Sequence, residues 1–300
     1  MYFKNITEAL GHTPLVEIGR LSPNPKVRIL AKLEGQNPGG SASIKDRVAK
    51  YMIEKAEQSG ELTPGKTIIE ATSGNTGIAL AWLGHTMGYR VTIVMPDSMS
   101  IERQQLIRLF GAELILTRGA DGVSAAIDAA RELAARDKNY FLPDQFSNPA
   151  NPLAHYETTA VEIIDDSPYE QVDALVAGIG TGGTIVGTAR RLKEHYPGIR
   201  VIGVEPPPDD SIQGLRCIDT GETPPILDLN LVTERTTVTS EQAAEVTRQL
   251  LDKEGIFAGL SSGAVVNQAI KVAQEMDSGN IVTILADGGW KYLSLDFWNG

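Results

Sequence analysis

Lys45 is the first candidate for chemistry in this chain. It closes the glycine-rich stretch Asn37-Pro38-Gly39-Gly40-Ser41-Ala42-Ser43-Ile44-Lys45-Asp46-Arg47, where a loop gives way to a helical pattern. A cation at the positive end of a helix is electrostatically disfavoured, and burial adds to that. Both favour the neutral amine, the form that attacks a carbonyl to make a Schiff base. From the residues alone, Asp46 and Arg47 leave open a plain charged helix start. Gly180-Thr181-Gly182-Gly183-Thr184 follows an apolar run and opens another helical pattern. Main-chain N–H groups at a helix start bind phosphate, glycines allow close approach, and Thr181 and Thr184 add hydroxyls. A tight turn with no ligand is an equal reading, and a dinucleotide is disfavoured because the G-x-G-x-x-G spacing is absent. Thr72-Ser73-Gly74-Asn75-Thr76-Gly77 offers amides and hydroxyls suited to a carboxylate, or an ordinary helix cap. In Gly259-Leu260-Ser261-Ser262-Gly263 a serine could face a ring nitrogen, or simply cap a helix. One amine with several anion-binding loops suggests a Schiff base to a phosphorylated cofactor.

The elements that must position these loops alternate in type. Short β-branched runs, most of them continuously apolar, predict strands over Arg28–Leu33, Thr67–Glu70, Arg90–Val94, Glu113–Leu116, Ala174–Ala177, Val201–Glu205 and Ile281–Leu285. Such runs mark strands buried on both faces of a parallel sheet. Helical periodicity covers Lys45–Ser59, Asn75–Met87, Ile101–Phe110, Ser124–Arg136, Leu153–Asp165, Gly183–Glu194, Ser240–Lys253 and Ala264–Glu275. Ser240 reads as an N-cap, and Gly60, Gly88 and Gly111 as helix stops. The alternation predicts two open, twisted α/β domains, separated near the turn-rich stretch Pro143–Pro152, with a cleft between them. Pro206–Leu229 is long for a loop and rich in Pro, Asp and Gly, the mark of a lid or binding loop.

Composition excludes several classes. A net charge of −11 over 300 residues argues against nucleic acid as the main partner. The single cysteine, Cys217, forms no intramolecular disulfide and no Cys-based metal cluster, and the four histidines lack metal-ligand spacing, so no metal is expected. No stretch approaches the roughly 18–20 apolar residues that span a bilayer. The first ten residues have no apolar signal region, so a soluble cytoplasmic protein is the expectation.

Taken together these motifs resemble the cysteine synthase (O-acetylserine sulfhydrylase) group of fold-type II pyridoxal-phosphate enzymes. Gly11-His12-Thr13-Pro14-Leu15, Glu70–Gly77 (EATSGNTG), Gln145–Pro152 (QFSNPANP) and Gly255–Gly263 (GIFAGLSSG) carry the likeness, in order and over almost the whole chain. The resemblance implies a tryptophan synthase β-like architecture with the active site in the interdomain cleft. It implies a smaller mobile domain over 46–146 and a larger, phosphate-binding domain over 1–45 plus 147–300. Pyridoxal 5′-phosphate would be the cofactor. Lys45 would carry it as a Schiff base and move the α-proton, and Asn75 would bond its 3′-hydroxyl. Gly180, Thr181, Gly182, Gly183 and Thr184 would hold its phosphate. Ser261 would face its ring nitrogen. Thr72, Ser73, Asn75 and Gln145 would bind the substrate carboxylate. A neutral serine does not keep the ring nitrogen protonated, which favours β-elimination over transamination.

The second half resembles B-type members that use O-phosphoserine and a thiocarboxylated carrier protein, on Gly214-Leu215-Arg216 and Asp287–Ser294. Arg216 matches the arginine that faces the substrate phosphate there; a guanidinium fork suits a phosphate, whereas an acetyl ester offers no charge. The implied reaction replaces the β-substituent of an activated serine, O-phosphoserine before O-acetylserine, with sulfur from sulfide or the carrier, through an aminoacrylate, to give L-cysteine. A homodimer is implied; neither nucleic acid nor membrane is an expected partner. Cystathionine β-synthase, diaminopropionate synthase and a cofactor-binding docking scaffold are the alternatives. Three departures stand out. Ser41-Ala42 lengthens the loop before the lysine by two residues, His12 replaces an asparagine, and Ala160 replaces a glycine, at a cost if that position needs positive φ.

Overall fold

The computed structural model describes residues 2–72, 74–220 and 223–299. In chain order the strands are β1 (Leu15–Glu17), β2 (Val27–Leu33), β3 (Thr67–Ala71), β4 (Arg90–Pro96), β5 (Glu113–Thr117), β6 (Tyr140–Phe141), β7 (Ala174–Gly178), β8 (Arg200–Glu205), β9 (Glu234–Thr237) and β10 (Gly279–Leu285). The α-helices are α1 (Lys45–Ser59), α2 (Asn75–Thr86), α3 (Ile101–Leu109), α4 (Gly122–Arg136), α5 (Ala150–Ala154), α6 (Ala160–Asp166), α7 (Gly183–His195), α8 (Ser240–Glu254) and α9 (Leu260–Glu275). The chain divides into two compact units, Met1–Leu10 with Asn37–Asn151, and Gly11–Gln36 with Pro152–Gly300.

The first unit holds a parallel four-stranded sheet in the order β5-β4-β3-β6. Successive side chains of β3 serve opposite layers. Ile68 packs with Val48 and Met52 of α1 and Ile78 and Leu80 of α2, while Ile69 packs with Ala126 and Ala130 of α4. That two-sided burial is why the strand reads as an unbroken apolar run.

The second unit holds a six-stranded sheet in the order β1-β2-β10-β7-β8-β9, parallel except for the β1–β2 pair. Ile29, Val176, Ile202 and Ile281 pack with Val265, Val266 and Ala269 of α9 and Leu250 of α8. Their sequence neighbours Leu175, Val201 and Val282 are buried as well, so both faces are covered.

All seven expected strands are present, each one or two residues longer. The three strands that were not expected, β1, β6 and β9, are two to four residues long, and all lie at sheet edges. Edge strands bury little, and Glu234-Arg235-Thr236-Thr237 carries no apolar residue at all. Helices α1, α2 and α3 are followed by Gly60, Gly88 and Gly111, all left-handed.

Three expectations are corrected. The N-cap of α8 is Thr239, whose hydroxyl accepts the Gln242 N–H while the Gln242 side chain accepts the Thr239 N–H, a capping box that leaves Ser240 inside the helix. Helix α9 starts at Leu260, a turn before Ala264, because two serines hid the period of its first turn. Ala160 has φ −71° inside a helical run and is fully buried, so no glycine is required there. That run, from α5 to α6, is joined by a π-helical turn at His155–Thr159. Among the described residues no helix is long and apolar enough to cross a membrane.

Candidate active site

In the first unit Lys45 is the first residue of α1, half-buried, with its N–H donated to the Ser43 hydroxyl at 3.1 Å. The lengthened loop before it is tied down from within. Asp46, fully buried, accepts the N–H of Ser41 and of Ser43 on its two carboxylate oxygens, both at 3.1 Å. The Ser41 and Ser43 hydroxyls lie 2.7 Å apart, and the Ala42 N–H reaches the Gly39 carbonyl. Ala42 itself is left-handed, φ 42°. The two extra residues therefore form an ordered turn around a carboxylate at the helix start, where negative charge is favoured.

The candidate carboxylate loop leaves β3 at Ala71 and enters α2 at Asn75, which stands at the helix start beside it. Ser73 lies outside the described residues. Thr72 is buried, and its hydroxyl accepts the Gly74 N–H at 3.0 Å. Gln145, also buried, spans the two ends of the loop. Its Oε1 accepts the Thr76 hydroxyl at 2.7 Å, and its Nε2 donates to the Ala71 carbonyl at 3.3 Å. One Gln145 N–H remains after these two bonds for a further acceptor. Beneath Gln145, the buried Glu70 accepts main-chain N–H groups of Ala71 and Gln145. Burial, reinforced by the Asp144 charge, pushes the Glu70 carboxyl up to about 8. The motif contained Glu70 and Thr76, but residue type alone assigned them no task.

In the second unit the strand β7 ends one residue before Ile179, and Gly180–Thr184 leads into α7. Gly182 is left-handed, φ 91°, and a Cβ there would stand 2.9 Å from Leu227 Cβ. The Gly183 N–H is donated to the Thr181 hydroxyl at 3.3 Å. The first-turn amides of a 13-residue helix have no helical carbonyl to receive them, which is the donor set an anion needs. Behind the loop, Thr184 Oγ1 lies 3.3 Å from Nε2 of the fully buried His155. Histidine 155 carried no signal in sequence, since its partners are threonines 4 and 29 residues away.

Ser261 is in the first turn of α9, buried, and its hydroxyl faces Gly214. The Gly214–Arg216 loop is held against the end of β7 and the glycine-rich loop after it: the Arg216 N–H donates to the Ile179 carbonyl at 2.8 Å, and a Cβ on Gly180 would strike the Gly214 carbonyl. The far side of this loop is anchored by Glu205, which accepts the Ile218 N–H at 2.7 Å and the Arg235 Nε at 2.7 Å. The start of α9 is held in turn by the segment after β10. The Gly259 N–H donates to the Asp287 carbonyl, and the Tyr292 hydroxyl donates to the Asp287 carboxylate at 2.9 Å. The structure thus brings Gly180, Thr181, Gly182, Gly183, Thr184, Arg216 and Ser261 into one unit, and Lys45, Thr72, Asn75 and Gln145 into the other.

A family model for pyridoxal-phosphate dependent enzymes matches residues 6–287. A cysteine synthase of Staphylococcus aureus (strain Mu50) is 41% identical over 303 residues, covering 98% of this chain and 97% of that protein. The crystal structure of O-ureido-L-serine synthase superposes with a TM-score of 0.94 at 38% identity, covering 100% of this chain and 96% of that one. That of cysteine synthase from Entamoeba histolytica gives 0.93 at 40%, covering 100% and 92%. The chain belongs to the pyridoxal-phosphate dependent enzyme family, and its two-sheet α/β fold is the fold-type II architecture. Its cofactor is pyridoxal phosphate. The residues present fit that group: an anion-ready helix start with a left-handed glycine, a buried serine at another helix start, and a lysine at a third.

Proposed function

We propose that the protein is a cysteine synthase that replaces the phosphate of O-phosphoserine, or with lower preference the acetate of O-acetylserine, with a sulfur nucleophile to give L-cysteine. Similarity over the full chain to cysteine synthases supports the reaction class. Bound pyridoxal phosphate supplies the electron sink that acidifies the α-carbon of a serine derivative and lets its β-substituent leave. The Lys45 amine links the cofactor, then removes the α-proton and later returns it. Amides and hydroxyls of Gly180–Thr184 hold the phosphate, Asn75 bonds the 3′-hydroxyl, and Ser261 faces the ring nitrogen. Thr72, Ser73, Asn75 and the remaining Gln145 N–H orient the substrate carboxylate. The sulfur donor is sulfide or a thiocarboxylated carrier protein, and the working form is a homodimer.

The observation that carries the phosphoserine preference is Arg216, half-buried on a loop whose main chain is bonded to Ile179, directly before the phosphate loop. A charge-assisted bond from its guanidinium to a substrate phosphate contributes about 1.5–3 kcal/mol, which an acetyl ester cannot use. Arg216→Ala is expected to lower kcat/KM for O-phosphoserine about 10- to 100-fold and to leave O-acetylserine within about threefold. Equal losses on both substrates would sink the assignment. Lys45→Ala should abolish borohydride-fixable cofactor attachment, measured by intact mass.

A further inference from the structure

We propose that His155 is a positioning residue for the cofactor phosphate: it fixes the hydrogen-bond direction of Thr184 so that this threonine donates to a phosphate oxygen. The proposal rests on the reading of Gly180–Thr184 as the phosphate loop.

His155 opens the π-helical turn His155–Thr159 between α5 and α6. A π-turn breaks the regular helical ladder and recurs where a side chain has a functional aim. Here it points a fully buried imidazole at the start of α7. Both ring nitrogens meet hydroxyls: Nδ1 lies 3.0 Å from Thr159 Oγ1, and Nε2 lies 3.3 Å from Thr184 Oγ1. The outer side of the same turn is tied to the same helix. The Tyr156 hydroxyl donates to Glu194 at 2.7 Å, and Arg191 stacks 5.3 Å over the Tyr156 ring. The turn and α7 are therefore held together from inside and outside.

The chemistry of the chain sets its direction. A hydroxyl has one donor proton, and a neutral imidazole has one donor and one acceptor nitrogen. A phosphate dianion only accepts. When Thr184 gives its proton to the phosphate, its oxygen must accept from Nε2–H. Nδ1 is then bare and accepts the Thr159 hydroxyl. With no anion the opposite order, from Thr184 to Nε2 and from Nδ1 to Thr159, satisfies the same atoms. The phosphate thus selects one tautomer of His155, and His155 in return stops Thr184 from turning its proton away from the anion.

Two measurements test this. In the holoenzyme with labelled histidine, a long-range proton–nitrogen spectrum should show His155 with a protonated Nε2 and a bare Nδ1. The reverse tautomer overturns the proposal. His155→Leu should weaken binding of pyridoxal phosphate about tenfold, while His155→Gln, which retains an N–H donor, should stay within about threefold. Pyridoxal, lacking the phosphate, should change less than about twofold in both. Equal losses for Leu and Gln, or an equal loss for pyridoxal, overturn it. If the unaltered protein does not prefer pyridoxal phosphate to pyridoxal, the phosphate-loop reading fails and the relay fails with it. Should His155→Leu not fold, the tautomer in the unaltered holoenzyme still decides.

Discussion

The Glu70 carboxyl accepts the main-chain N–H of Gln145 at 3.3 Å and, through its other oxygen, that of Ala71 at 3.1 Å. Both residues are buried. Main-chain donors of Gln145, Ala71 and Asp144 favour the carboxylate, yet burial and the neighbouring Asp144 charge outweigh them and raise the group from 4.5 to about 8. The native state therefore holds the Glu70 proton more tightly than the unfolded chain does. The resulting stabilisation is complete below pH 4.5 and is lost as pH rises through about 8. Its size is on the order of a few kcal/mol. Glu70→Gln mimics the protonated acid and cannot ionise. We expect the wild-type Tm to fall more steeply than that of Glu70→Gln between pH 6 and pH 9. Parallel curves would show that Glu70 does not titrate in this range.

Thr76 and Gln145 form the second link across the same loop, 2.7 Å between oxygens. Thr76→Val keeps the shape but leaves the buried Gln145 Oε1 without that donor. The expected cost is about 1–2 kcal/mol in urea unfolding. Gln145 then loses the partner that fixes its amide plane. KM for the serine substrate should rise several-fold with the cofactor spectrum unchanged. A spectral change as large as that of a cofactor-site variant would place Thr76 elsewhere in the chemistry.

Sequence reading recovered what local pattern encodes. The inner strands bury both faces and so read as apolar runs, and α1 begins at Lys45 as its helical periodicity indicated. What stayed hidden depends on distant partners. The short edge strand β9 has no pattern of its own and exists because β8 offers it a ladder from Ile202–Glu234 to Glu205–Thr237. His155 acquires a role only when α7 brings Thr184 to its ring. Lys32 is a fully buried cation between Ala31 and Leu33, and nothing in its neighbours announces Glu162, 130 residues later.

That pair is fully desolvated on the lysine side. Lys32 Nζ lies 2.9 Å from Glu162 Oε2 and 3.2 Å from Asp166, and it donates to the Thr13 carbonyl at 2.6 Å. Glu162 also accepts the N–H groups of His12 and Thr13, so it pins the turn in which His12 is left-handed, φ 51°. Histidine shares with asparagine an enrichment in that conformation, which accounts for the replacement. Lys32→Met removes the charge that compensates Glu162. The expected loss is about 3–5 kcal/mol, read as a large fall in the denaturation midpoint. Lys32→Met combined with Glu162→Gln should recover part of it. No recovery would mean that the lysine acts through packing and not through charge.

The loop before Lys45 offers the sharpest single-residue test. Ala42, one of the two extra residues, is left-handed, a conformation that L side chains other than Asn, Asp and His rarely adopt. The strain is tolerated because Asp46 gathers the N–H groups of Ser41 and Ser43 on either side of it. Two opposite outcomes follow. Ala42→Gly removes the steric penalty and should raise stability by about 0.5–1 kcal/mol, net of the added freedom of the unfolded chain. Asp46→Ala strips two buried amides of their acceptor and should cost about 2–4 kcal/mol. It should also slow cofactor attachment at Lys45, followed by the rise of visible absorption on reconstitution. Adding Ala42→Gly to Asp46→Ala should help less than in the wild-type loop, because without the carboxylate the turn no longer holds residue 42 left-handed. Full additivity of the two changes would show that the strain at Ala42 and the grip of Asp46 are independent.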